Sequence, residues 1–194
     1  MKKQPQVISL PVNGSAQFSR LDKLVTVTGR PGASVNAVFL YEDATTREWA
    51  REAHDRIVKL AGKETVRPTW WRLDNLRAPG ILAAAASTAM RADVIVVAVA
   101  ATDSLPLPFY TWISSWLPNR LRAGGVLAAV VGQTKKASGR SGRIAKYLRE
   151  VARAAHLEFL SETRKLVTAP NRVLAADDGL FYSQEQRVAA LRAA

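Results

Sequence analysis

Asp93-Val94-Ile95-Val96-Val97-Ala98-Val99-Ala100 is the stretch on which the fold turns. After its opening aspartate come seven apolar residues in a row, most of them β-branched, with no polar position between them. A strand with one wet face alternates apolar and polar residues. A short unbroken run such as this one fits a strand covered on both faces. Such a sheet needs helices on each side, and the sequence on either flank supplies them.

Upstream, Pro79 to Met90 reads as an alanine-rich helix whose small side chains suit close packing on a sheet. Before it, Val66 to Leu73 reads as a strand carrying Trp70 and Trp71; Pro68 lacks an N–H and places this strand at a sheet edge. Val35 to Tyr41 is a further buried strand. Between these two, Thr45-Thr46 offer an N-cap with Glu48 in the first turn, and Trp49, Ala53, Ile57 and Leu60 form one apolar helix face ending at Gly62. Downstream, a loop with Asp103, Ser104, Pro106 and Pro108 leads to a helix bearing Tyr110, Trp112, Ile113 and Trp116, stopped by Pro118. Val126 to Val131 is a fourth strand, bounded by Gly124-Gly125 and Gly132. A loop from Gln133 to Arg143, a helix from Ile144 to Ala155 and a fifth strand from Leu157 to Leu160 follow.

Residues 33–162 are therefore expected to form one α/β domain, a three-layer sandwich around a five-stranded parallel sheet of order 2-1-3-4-5. Residues 1–32 form an N-terminal arm, with Leu24 to Thr28 as a short edge strand broken by Arg30-Pro31-Gly32. Residues 163–194 form a C-terminal extension, with Asp177-Asp178-Gly179 as a hairpin turn and Gln184 to Leu191 as a closing helix. In the 2-1-3-4-5 order, ligands bind where the strand order reverses, beside the loops after the first and third strands. Glu42 to Thr46, Ala101 to Ser104 and the basic loop after Gly132 are the three candidate site loops.

Composition narrows the function classes. The chain has 194 residues, 28 Lys and Arg against 16 acids, a net charge of +12 and no cysteine. Thiolate catalysis, disulfides and thiolate zinc sites are excluded. No apolar run reaches the roughly 20 residues of a membrane span, and no signal-peptide pattern follows Met1-Lys2-Lys3, so a cytoplasmic protein is expected. The only histidines, His54 and His156, fall on helices, and neither a Gly-x-Ser-x-Gly elbow, a P-loop nor a dinucleotide fingerprint is present. Hydrolysis by a Ser-His-Asp constellation has no candidate residues.

Ala92-Asp93-Val94-Ile95-Val96-Val97, a polar loop, Pro106 and the helix from Phe109 to Trp116 resemble the middle of NADPH-dependent FMN reductases and related flavodoxin-like proteins. The resemblance implies FMN phosphate held by Thr45 and Thr46, with Thr102, Asp103, Ser104, Gly132, Gln133 and Thr134 lining the flavin ring. Glu42 and Asp43 depart from that family's hydroxyl- and glycine-rich phosphate loop, because two carboxylates repel a phosphate dianion. They are similar instead to the acids of receiver domains, with Lys165 in the place of the receiver lysine. The receiver phosphoacceptor is missing: Ala98 to Ala101 stand in its place, and Asp103 comes late. A weak divalent-cation site from Glu42, Asp43 and Asp103 competes with the plainer reading of a solvated helix N-terminus, which is preferred.

The basic segment offers a different site. Lys135, Lys136, Arg140 and Arg143 sit in a Ser/Gly-rich stretch, and Arg143, Lys146, Arg149 and Arg153 recur at three- and four-residue steps along the helix that follows. One cationic stripe results, suited to an acidic protein, nucleic acid or phosphorylated ligand, with no base-reading module to add sequence specificity. The expectation is a binding or regulatory module that meets an anionic partner along this stripe and carries no catalytic residues. The alternative is an FMN-dependent NAD(P)H oxidoreductase with an atypical phosphate loop. A homodimer is left open.

Overall fold

The computed structural model describes residues 34–100, 105–121, 124–133 and 138–166, the side chains of 138–141 excepted. The expected N-terminal strand, the C-terminal hairpin and helix, and the loops at 101–104 and 134–137 lie outside the described residues. Five parallel strands form one sheet in the order β2-β1-β3-β4-β5. They are β1 (Val35–Tyr41), β2 (Val66–Arg72), β3 (Val94–Val99), β4 (Val126–Gln133) and β5 (Glu158–Lys165). The crossovers are the helices α1 (Ala44–Ala61), α2 (Pro79–Met90), α3 (Leu107–Trp116) and α4 (Ser138–Ala154).

Successive strand residues point to opposite faces, and the core divides accordingly. On one face Val38, Leu40, Trp71, Ile95, Val97, Leu127, Ala129 and Val131 pack under α2, α3 and α4. On the other, Phe39, Val94, Val96, Ala98, Ala128 and Val130 pack with Trp49, Ala50, Ala53 and Ile57 of α1. Every residue of β3 is buried, as its unbroken apolar run requires. The tandem tryptophans split as strand geometry demands. Trp71 is buried on the α2 face, its indole N–H donating to Thr88 Oγ1 at 3.2 Å, and the half-buried Trp70 stacks on Phe39 at 4.3 Å. Trp112 and Trp116 are fully buried in α3.

Strand starts fall within one residue of the sequence reading, with β3 beginning at Val94 and β5 at Glu158, while the ends of β4 and β5 differ by more. β4 runs two residues past Val131, through Gly132 and Gln133. Gly132 does not stop the strand; a Cβ there would come within 2.9 Å of Leu166 and 3.0 Å of Trp49. β5 continues past Leu160 to Lys165, because it is an edge strand whose charged residues keep pairing with β4 through Gln133↔Lys165. α4 begins at Ser138, six residues before the expected Ile144, so part of the basic stretch is helix and not loop. Gly124 and Gly125 turn the chain into β4 with φ of 78° and 107°; a Cβ on Gly125 would lie 2.5 Å from the Asp93 carbonyl oxygen.

Candidate functional site

The loop after β1 closes the crevice at the strand ends. Asp43, not Thr45 or Thr46, is the N-cap of α1, and Asp43 and Thr46 form a reciprocal capping box. The Glu42 and Asp43 N–H groups donate to Thr46 Oγ1 at 2.9 and 2.8 Å. Thr46 N–H donates to Asp43 Oδ1 at 2.8 Å, and its hydroxyl donates to the same oxygen at 2.9 Å. Thr46 is completely buried, whereas Thr45 is exposed.

Glu42 then bridges to the neighbouring loop: Ala100 N–H donates to its Oε2 at 2.8 Å. Burial, the largest influence, raises the Glu42 carboxyl above its ordinary pKa; the Ala100 N–H opposes the rise, and the charges of Asp43 and Asp74 add to it. A carboxylate of the chain itself thus sits between β1 and β3, where the strand order reverses.

Of the other residues expected to line a flavin, only Gly132 and Gln133 are described. Gly132 and Gln133 belong to β4; Gly132 is buried, and the Gln133 carbonyl accepts Leu166 N–H at 3.0 Å. Thr102, Asp103, Ser104 and Thr134 fall outside the described residues. Lys165 is the exposed last residue of β5. Among the described residues, no group of three or more His, Asp or Glu is placed to hold a metal ion. His54 meets Phe39 and Trp70, each with ring centroids 5.6 Å apart, and its Nδ1 lies 3.1 Å from Asp55.

The cationic stripe is laid out on α4. Ile144, Leu148, Val151 and Ala152 face the core, leaving Arg143, Lys146, Arg149 and Arg153 exposed on the outer side. Arg143 and Lys146 have no carboxylate partner among the described residues. The Arg149 guanidinium lies over the Phe159 ring at 5.3 Å, a cation–π contact that leaves it without a carboxylate among the described residues. Arg153 is 3.2 Å from Glu150, which weakens the C-terminal end of the stripe. Lys135, Lys136 and the Arg140 side chain lie outside what is described.

A further cluster on the α1 face gave no sequence signal. Glu162 is buried in β5 and accepts Arg164 Nε at 2.7 Å; Arg164 Nη1 reaches Glu52 at 2.8 Å. The Arg164 guanidinium also lies over the Trp49 ring at 6.0 Å, while Glu162 Oε2 has no hydrogen-bond partner.

No family model and no curated protein matches the chain. Solved structures do. A short-chain flavodoxin associated with a PDU bacterial microcompartment superposes with a TM-score of 0.53 at 14% identity, covering 71% of this chain and 87% of its own. A flavodoxin from Streptococcus pneumoniae TIGR4 gives 0.46 at 14% identity, with 81% and 94% covered. The fold is flavodoxin-like.

That likeness makes FMN the cofactor to test against these residues, and three engaged donors and two carboxylates around the α1 N-terminus stand against its phosphate. Helix N-termini hold phosphate through free N–H groups. Here the N–H groups of Glu42, Asp43 and Thr46 are already taken by Thr46 and Asp43. The Glu42 and Asp43 carboxylates add repulsion.

Proposed function

We propose that this flavodoxin-like chain is a binding module whose working surface is the outer face of α4, meeting an anionic partner through Arg143, Lys146 and Arg149. The observation that carries the reading is a contrast between two helices of one sheet. At the α1 N-terminus the N–H groups of Glu42, Asp43 and Thr46 are engaged by the chain's own side chains and two carboxylates stand beside them, while α4 presents Arg143, Lys146 and Arg149 with no carboxylate partner among the described residues. The net charge of +12 draws polyanions toward the whole molecule, and the α4 stripe gives them a surface to settle on.

Contacts of this kind are salt-sensitive, because each phosphate neutralised releases condensed counterions. Binding of a fluorescent oligonucleotide, used as a generic polyanion, is therefore expected to weaken as salt rises. Arg143→Ala, Lys146→Ala and Arg149→Ala should each lower the salt slope by about one. A slope unchanged in all three variants would refute the reading.

The oxidoreductase alternative rests on the fold likeness and is opposed by the geometry of the phosphate loop. An absorbance spectrum taken after incubation with FMN and removal of the excess separates the two. The binding-module reading expects no retained flavin band; a stoichiometric band would replace it with the flavin reading.

A further inference from the structure

We propose that a second anion site lies at the other end of the sheet, and that it takes a small amphipathic anion, an apolar body with a phosphate or carboxylate head. A cleft of about 640 Å³ opens there, lined in part by Asn36, Val38, Arg67, Thr69, Thr88 and Arg91. Asn36 pairs with Arg67 and Val38 with Thr69 across β1 and β2, all four on the face that α2 covers. Thr88 comes from the last turn of α2, and Arg91 is its C-cap. These residues mark the starts of the strands, remote from the Glu42 crevice at their ends.

Size, charge and strand chemistry together select the ligand class. The volume lies within the roughly 300–1,000 Å³ of small-molecule sites. Arg67 and Arg91 are exposed and without a carboxylate partner, and no acid lines the cleft among the described residues. One guanidinium comes from the sheet edge and the other from the helix end, each a planar fork suited to phosphate or carboxylate oxygens. Val38, on the same face, supplies apolar contact for the body of the ligand.

The negative end of a helix would ordinarily oppose an anion at this place. Here Arg120 donates to the Ala89 and Ala92 carbonyls at 3.2 and 3.0 Å, which satisfies carbonyls at that end. A peptide adding itself as a strand is disfavoured, because Pro68 leaves the exposed edge of β2 without an N–H at its centre. The Trp71 indole bonded to Thr88 makes the cleft observable by fluorescence.

The test titrates the full chain with phenyl phosphate, followed by backbone amide NMR shifts and by tryptophan fluorescence. Saturable shifts are expected at Asn36, Thr69, Thr88 and Arg91, with inorganic phosphate and phenol each binding much more weakly than the conjugate. Arg67→Glu and Arg91→Glu should each raise Kd about tenfold or more, the loss of one charge-assisted contact. Lys146→Glu should leave Kd unchanged, which separates this site from the α4 surface. Thr69→Trp should fill the cleft and abolish binding, with an unchanged melting temperature showing that the fold persists. The proposal is overturned by shifts that follow α4, by inorganic phosphate binding as tightly as phenyl phosphate, by unchanged affinity in the well-folded Thr69→Trp protein, or by no saturable binding.

Discussion

Thr46 illustrates how one residue type serves two opposite functions. A threonine in the first turn after a β-strand can hold phosphate or can close a helix end against it. Here its hydroxyl accepts from two backbone N–H groups and its own N–H is capped by Asp43, so the role is structural. Thr46→Val should therefore cost about 1–3 kcal/mol of stability, since it strips the Glu42 and Asp43 N–H groups of their acceptor, as read from urea unfolding. A variant of unchanged stability would contradict this assignment. Glu42 carries a pH signature of its own. Its folded-state pKa is raised, so its contribution to stability is fully present below the unfolded value of about 4.3 and is lost as pH rises through the folded pKa. Glu42→Gln keeps an acceptor for Ala100 N–H and removes the charge. The variant should gain stability relative to wild type as pH climbs from 4 to 7, and a difference that shrinks over that range would contradict the buried placement.

At the scale of elements, the apolar runs made the strands and the helix faces readable in advance, and the strand order followed from the common arrangement of five alternating strands. β3 and the start of β4 are buried on both sides, and burial of that kind leaves an unmistakable apolar run. Strand ends were hidden because their signals are tertiary. Gly132 looks like a terminator until Trp49 and Leu166 are seen closing over it. Glu162 looks solvated until Arg164 and Glu52 are placed beside it. The engaged donors at Thr46 were equally hidden, since the Asp43–Thr46 spacing fits a capping box and a phosphate loop alike. Arg164→Met would leave the Glu162 carboxylate buried without its partner and should cost about 3–5 kcal/mol. Adding Glu162→Leu should restore most of that loss, in a comparison of the single and double variants by chemical denaturation. On α4, Gly142 is exposed within the helix, and a Cβ there would meet nothing within 4 Å. Gly142→Ala should accordingly stabilise by about 0.5–1 kcal/mol, measurable as a higher denaturation midpoint. No gain would argue that the helix starts after residue 142.

At the scale of the whole molecule, a flavodoxin-like sandwich places Glu42, Asp43 and Thr46 at its strand-end crevice and carries on α4 a cationic face on which, among the described residues, only Arg153 has a carboxylate partner. Net charge alone would let any polyanion bind anywhere on so basic a surface, so affinity by itself decides nothing. Position decides it. The direct measurement is oligonucleotide affinity at fixed ionic strength for two charge-matched triple variants. One reverses Arg143, Lys146 and Arg149 on α4; the other reverses Arg51, Lys59 and Lys63 on α1 and the turn after it. The account predicts a large loss of affinity for the α4 variant and a small one for the other. Equal losses would contradict it, and would reduce the α4 stripe to a share of the general positive field.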